Sequence, residues 1–468
     1  MKAEILPNNK DKNNKSILWA SYLAATIVLM DLSSVNIALP TISAYYGLDV
    51  SQVSWLLMAS MLSAASFALI AGRLIDTYKA QSILTIGFLI FSIGTISCFF
   101  VKNFEFLIII RFFQGFGEAL LYVVGPAYIS KNLPVDKQQT AYGIWMSSTA
   151  IGISLGPVIG GFLISQYHWQ SVFLINFTLS FLGMFMLLIS GKFELPRLKI
   201  VKDVDYYGAI YSFIYLASLI YALSMTKKQG IGNYSVIVSY IVFIIFLVLF
   251  LKREKRVAKP IFNLKIFSVR NFNLAAIGFF LFFLVNVGSR FLRPFYFENL
   301  KLLSPQISGL LMMVAPLIMF ILSPLAKSIS KRLKHKMILI LANVLLAASM
   351  FWFSRWNAQT AVWQLVSAMV LLGVSMGLYY PVNSLVGMQS LPAHQSGMGS
   401  AAIATSKSMG KLMGVLLFAV FFTYINSLNI SDSISKAYEY TFLMGSIVAL
   451  GATFLSFNLK NENPVGMS

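Results

Sequence analysis

The chain has 468 residues, 58% of them hydrophobic and only 11% charged, and its formal net charge is +20 at pH 7. Soluble domains carry roughly a quarter charged residues, so composition excludes an ordinary water-soluble fold. Lipid is the solvent that fits, and apolar runs of about 20 residues mark helices that cross it.

Residues 1–17 form a polar tail rich in Asn and Lys, with no short apolar core and small-residue cleavage site, so no cleaved signal peptide is expected. Spans are predicted at 18–42, 53–72, 82–101, 104–130, 138–164, 169–191, 206–225, 234–251, 272–298, 305–326, 337–354, 360–385, 397–425 and 438–459. With the N-terminus inside, the cytoplasmic segments hold 25 Lys and Arg, the external ones six, and the spans five. That asymmetry follows the positive-inside rule and places both termini in the cytoplasm. It also accounts for the basic charge by topology, which removes nucleic acid as a partner. The single cysteine, Cys98, lies within an apolar run, so neither a disulfide framework nor a cysteine-based metal site is expected.

The chain repeats itself weakly. The turn from Ala71-Gly72-Arg73 to Leu84 returns 255 residues later as Ala326-Lys327-Ser328 to Leu339, and Pro126 returns as Pro381 at the same offset. Leu133-Pro134 is matched by Leu391-Pro392, and Gly152 and Gly156 by Gly410 and Gly414, at an offset of 258. The expected organisation is an all-α integral membrane protein with two six-helix bundles, 18–191 and 272–459. Basic linkers and two inserted helices lie between them at 192–271, and a short tail follows at 460–468. Repeated halves around a central path are a common transporter plan. Gly152, Gly156 and Gly160 line one helix face, where small residues let backbones approach. Pro157 adds a kink, and Gly161 follows.

Several motifs carry a resemblance. Met30-Asp31-Leu32-Ser33-Ser34-Val35-Asn36-Ile37-Ala38-Leu39-Pro40, Gly72-Arg73-Leu74-Ile75-Asp76, Arg111-Phe112-Phe113-Gln114-Gly115-Phe116-Gly117 and Gly152 through Gly161, followed by Trp169 and Ile175-Asn176, stand in order along the chain. Together they resemble the major facilitator superfamily, and within it the fourteen-helix drug:proton antiporters of the QacA/EmrB type. The resemblance implies export by alternating access, driven by a proton gradient without another cofactor. It assigns Gly72, Asp76, Gly152, Gly156, Pro157, Gly160 and Gly161 to motifs that govern conformation. There are departures. Lys79, Ala80 and Gln81 replace the Gly and basic residues usual in the loop motif, Glu118 replaces a small residue, and Lys411 replaces a Gly.

Charges inside a span are costly and mark functional sites. Asp31 lies about 20 Å into an inward-starting span, and Arg111 about 10 Å into an outward-starting one, at about 1.5 Å per residue. In a core about 30 Å thick they fall at one level. Asp31, Arg111 and Glu118 are therefore the proton-coupling candidates; the bland alternative is a static ion pair that orders the bundle. Lys407 and Lys411 share a helix face, and Glu118 lies at a compatible depth for pairing with Lys407. Lys407, Lys411, Arg290, Trp145 and Tyr379 are the substrate-binding candidates. For Arg290 and Arg293 the competing reading is snorkelling to the external interface. For Trp145 and Tyr379 it is ordinary packing.

No phosphate-binding GxxxxGK[ST] loop and no hydrolase nucleophile motif occur, and His168, His335 and His394 are scattered over predicted loops. An enzyme and a metal site are therefore not expected. The expectation is a proton-coupled exporter of amphipathic drugs or metabolites in a plasma or inner membrane, with membrane lipid as its surroundings. One rival is an exporter of an anionic amphiphile such as a siderophore or lipid. Another is a non-transporting sensor or scaffold, which would need a sizeable soluble domain. No segment specifies a periplasmic adaptor. Reporter fusions after Lys15, within 252–259 and at Ser468 should all read cytoplasmic; an external reading at Ser468 would reject an even number of spans.

Overall fold

The computed structural model describes residues 9–190, 206–230, 232–254, 266, 268–392, 396–428 and 432–460. Most of the basic linkers, the ends of both tails and His394 lie outside the described residues. Among the described residues all regular structure is helical: α1 (Asn9–Tyr46), α2 (Val50–Thr77), α3 (Ala80–Phe100), α4 (Phe104–Asn132), α5 (Val135–Gln166), α6 (Ser171–Ser190), α7 (Tyr206–Gln229), α8 (Tyr234–Glu254), α9 (Arg270–Phe295), α10 (Pro305–Leu322), the short α11 (Ala326–Ser330), α12 (His335–Ser354), α13 (Val362–Gln389), α14 (Ser396–Asn426) and α15 (Ser433–Phe457). Thirteen of these are long and apolar enough to cross a membrane, and α7 carries a shorter apolar stretch, Ile210–Thr226. The polar residues 9–17, expected as tail, already belong to α1. The span expected to end at 298 closes instead in a π-helical turn, Tyr296–Leu300.

Packing relates the first helices to the last. α1 lies on α5 as α9 lies on α14, α2 on α4 as α10 on α13, and α3 on α6 as α12 on α15. α7 and α8 form a hairpin, and α7 covers the place where α2 meets α14. The most apolar window of α1 is 89% buried within the chain, whereas that of α8 is 11% buried. α1 is therefore a central helix and α8 a peripheral one, its Ile241, Ile244 and Ile245 turned outward. An exposed apolar shell of this kind is what hydrocarbon solvates.

The glycine stripe of α5 explains its closeness to α1. A Cβ at Gly152 would meet the Thr26 carbonyl, and one at Gly156 would meet Ser33 Oγ. With no side chains between them, the helices exchange direct bonds: Thr26 Oγ1 donates to the Ser148 carbonyl at 3.1 Å, and Ser33 Oγ to the Gly152 carbonyl at 3.2 Å. Gly161, one residue beyond Gly160, faces the opposite way. A Cβ there would strike the Pro305 carbonyl of α10, and one at Gly309 would strike the Pro157 carbonyl. This α5–α10 seam joins the two groups of helices at the end that carries the α1–α2 turn. Gly72, by contrast, has no neighbour within 4 Å of a would-be Cβ. The Asp76 side chain lies outside the described residues.

Backbone atoms cannot yield as a flexible side chain does. Gly161→Val or Gly309→Val should therefore open the α5–α10 seam, lower thermal stability by about 1–3 kcal/mol and abolish transport. Gly451→Ala on α15, where space is open, should leave the melting temperature of the purified protein unchanged.

Candidate functional site

Two polar clusters lie among these helices. The first is built by α1, α2, α3, α4 and α6. Helical spacing sets Arg111, Gln114 and Glu118 of α4 on one face. Arg111 and Asp31 are both completely buried, and Arg111 Nη1 donates to Asp31 Oδ2 at 2.7 Å. Other donors complete the carboxylate: Asn176 Nδ2 reaches Asp31 Oδ1 at 3.1 Å and Gln114 Nε2 reaches it at 3.3 Å. The guanidinium is equally occupied. It also donates to Gln114 Oε1 at 2.9 Å, Ser60 Oγ at 2.9 Å and the Leu56 carbonyl at 3.3 Å. Gln114 extends the network to Thr95 Oγ1 at 3.1 Å.

Glu118 stands at the edge of this network. Its Oε1 is 4.0 Å from Arg111 Nη2 and has no hydrogen-bond partner among the described residues. The pairing expected with Lys407 is not formed; Glu118 faces Arg111 instead. Asp31 is thus a carboxylate held by several donors, and Glu118 is a buried acid with an open oxygen.

The second cluster is built by α9, α13 and α14. Lys407 Nζ sits 4.1 Å from the Phe279 ring centroid, and Lys411 Nζ 5.5 Å from that of Phe283. Their i, i+4 spacing matches that of the two phenylalanines, so each lysine covers one ring. Tyr379 stacks on Phe282 at 4.0 Å, and Tyr380 on Phe283 at 5.0 Å. Lys411 lies within electrostatic reach of Arg290, and Arg290 within reach of Tyr380. The described residues give Lys407, Lys411 and Arg290 no carboxylate partner.

Snorkelling is overturned for Arg293, which is 2% exposed and stays inside, with Nε donating to the Ser289 carbonyl at 3.3 Å. Its cation lies 5.6 Å from the Phe353 ring, and Nη1 has no partner. Arg290 lies within electrostatic reach of Tyr380 and Lys411. Trp145 does not join this second cluster. It packs on Tyr122, 5.0 Å between centroids, in a group with Tyr22, Ala25, Ile129 and Ala141. α1, α4 and α5 carry that group, far along the chain from the elements that hold the lysines.

The clusters touch through α1 and α9. Five residues beyond Asp31, Asn36 Nδ2 donates to the Arg290 carbonyl at 2.9 Å. Further on, Thr41 of α1 faces the half-buried Glu298 in the π-helical turn that follows α9. Sequence reasoning gave no role to Ser60, Thr95, Gln114, Asn176 or Glu298. For Gln114 a signal existed, since it lies three residues after Arg111 and shares its face.

Residues 21–415 match the family described as the Major Facilitator Superfamily. The chain is also 32% identical over 396 residues to the riboflavin transporter RibZ of Clostridioides difficile (strain 630), a match that spans 84% of this chain and 85% of that protein. The chain belongs to the Major Facilitator Superfamily. It is therefore a multi-pass membrane transporter, of a family that is generally not enzymatic. The multidrug resistance protein Stp of Mycobacterium tuberculosis (strain CDC 1551 / Oshkosh) is 26% identical over 400 residues, 85% of this chain and 74% of that protein. Among solved structures, the peptide transporter POT in complex with sulfate aligns with a TM-score of 0.70 over 93% of each chain at 14% identity, a likeness of fold alone.

Removing one member of a buried ion pair strands the other charge. Arg111→Met should destabilise the purified protein by about 3–5 kcal/mol, and adding Asp31→Asn should recover part of that loss. Thermal unfolding of the two single variants and the double variant measures the coupling. Strict additivity would show that the pair does not act as a unit.

Proposed function

We propose that this superfamily member is a proton-coupled exporter of amphipathic small molecules, working by alternating access across fourteen spans with both termini in the cytoplasm of a plasma or inner membrane. One observation carries the reading: a buried acid network on α1 and α4 is tied through Asn36 and the Arg290 carbonyl to a cation-lined aromatic face on α9, α13 and α14. Protons bind the first cluster and cargo binds the second, so that a change in one alters the α1–α9 contact on which both depend.

The chemistry of the acids suits this division. When Asp31 takes up a proton, its ion pair with Arg111 becomes a hydrogen bond from a charged guanidinium to a neutral acid, and the Coulombic attraction between the two is lost. Arg111 then has Glu118, 4.0 Å away, as its remaining acid. Glu118 offers the open oxygen at which a proton arrives without first displacing a donor. Protonation thus redistributes Arg111 between two helices, and α1 is free to move against α9. The small-residue face of α5 supports such movement, because α1 slides on backbone and not on interlocked side chains.

Two relatives support the cargo class. One is a riboflavin transporter, whose cargo is an aromatic amphiphile, and another is a multidrug resistance protein. Phe283 and Tyr380, partly exposed, provide rings on which an aromatic cargo stacks, with Phe282 and Tyr379 packed behind them.

The test is transport in proteoliposomes with an imposed pH gradient, using cationic, neutral and anionic aromatic amphiphiles. Wild-type protein should accumulate at least one of them uphill. Asp31→Asn should lose uphill accumulation while it still inserts, folds and binds cargo, since the amide mimics the protonated acid. Wild-type uphill transport by Asp31→Asn would remove that residue from the coupling mechanism.

A further inference from the structure

We propose that the face formed by α9, α13 and α14 is a binding site for flat aromatic anions, with a carboxylate as the head group that Lys411 and Arg290 take. This rests on the reading of that face as the cargo site and specifies its chemistry. Cations within a membrane protein normally pair with acids or carbonyls. Here the described residues supply Lys407, Lys411 and Arg290 with no carboxylate, and the lysines rest on ring faces. A ring quadrupole attracts a cation but does not cancel its charge. A ligand carboxylate supplies the negative charge that the described residues do not.

The rings define the shape of that ligand. They form two layers. Phe282 and Tyr379 are buried, with their planes 11° apart; Phe283 and Tyr380 form the outer layer, 4° apart and partly exposed. Lys411 lies over Phe283, and Arg290 is within electrostatic reach of both Lys411 and Tyr380. A planar conjugated ring stacked on the outer layer carries an attached carboxylate beside Lys411, with Arg290 within electrostatic reach. A guanidinium takes the two carboxylate oxygens as a fork, and an ammonium adds a third donor. Lys407, one turn earlier, extends the positive field along the same wall. A cationic ligand, by contrast, would meet three like charges here.

The experiment measures equilibrium binding to the full chain in nanodiscs of neutral phosphatidylcholine, without a gradient. The probes are 2-naphthoate, the neutral 2-naphthylmethanol, 2-naphthylmethylammonium and the non-aromatic decanoate. We expect 2-naphthoate to bind about tenfold or more tighter than the alcohol, and the ammonium to bind weakest. Lys411→Met should cost 2-naphthoate about tenfold and change the alcohol by less than roughly twofold, whereas Lys411→Arg retains the preference. Tyr380→Leu should weaken both 2-naphthoate and the alcohol and spare decanoate. Equal affinities for acid and alcohol would overturn the proposal, as would equal losses of both in Lys411→Met. Loss of 2-naphthoate binding when anionic phosphatidylglycerol replaces the neutral lipid would overturn it in favour of a lipid head group. Because no gradient is applied, the outcome is separate from proton coupling. Anion-selective binding without uphill transport would reject the exporter reading alone, and proton-driven transport of neutral or cationic probes without anion selectivity would reject this inference alone.

Discussion

In the hydrocarbon core of a membrane a charged or polar group has no water to turn to, so each one must find a partner within the protein. The arrangement around Arg111 is that constraint met in full. A completely buried guanidinium is surrounded by Asp31, Gln114, Ser60 and the Leu56 carbonyl, and Asp31 is in turn completed by Gln114 and Asn176. With Thr95 of α3, which accepts from Gln114, five helices are thereby fixed relative to one another. The same constraint gives meaning to the places where it is not met. Glu118 Oε1 and Arg293 Nη1 are buried without partners, and the lysines of α14 face rings in place of acids.

Within the two clusters the charges divide by sign. Asp31, Glu118 and their counter-ion Arg111 lie on α1 and α4, and Lys407, Lys411 and Arg290 lie on α14 and α9; the acid Glu298 lies apart from both, in the turn after α9. α1 connects the two, with Asp31 and Asn36 on one helix and the contact to α9 at Arg290. The glycines of α5 bring its backbone against that of α1 without an interlocked layer of side chains. The α5–α10 seam uses the same device through Gly161 and Gly309. The α2–α14 meeting is covered by α7, so the inserted hairpin sits against a junction between the first and last helices and not apart from them.

How much of this was legible in the sequence follows from what lipid does to a sequence pattern. Long apolar runs give spanning helices directly, because length and hydropathy alone decide whether a segment partitions into a bilayer. Charge asymmetry in loops and the ordered motifs led to the superfamily. The Asp31–Arg111 pair followed from two charges at one estimated depth. Gly152 and Gly156 followed from their spacing, which is a property of one helix.

What only the tertiary structure decided is which face of each helix looks at which neighbour. In water, apolar periodicity reports the buried face; in lipid the surroundings are as apolar as the core, so periodicity is weak and the inward face is unmarked. Hence Asn176 and Ser60 gained their roles only when α6 and α2 were placed beside α1 and α4. For the same reason Glu118 went to Arg111 and not Lys407, and Trp145 went to Tyr122 and not to the aromatic face. Depth along a helix did not distinguish an Arg293 that snorkels from one that turns inward, because both have the same distance along the axis and differ only in azimuth. The sequence by itself determined the solvent, the spans, the superfamily and the central ion pair; the packing of helices around α1 decided which charges are paired and which have no carboxylate partner among the described residues.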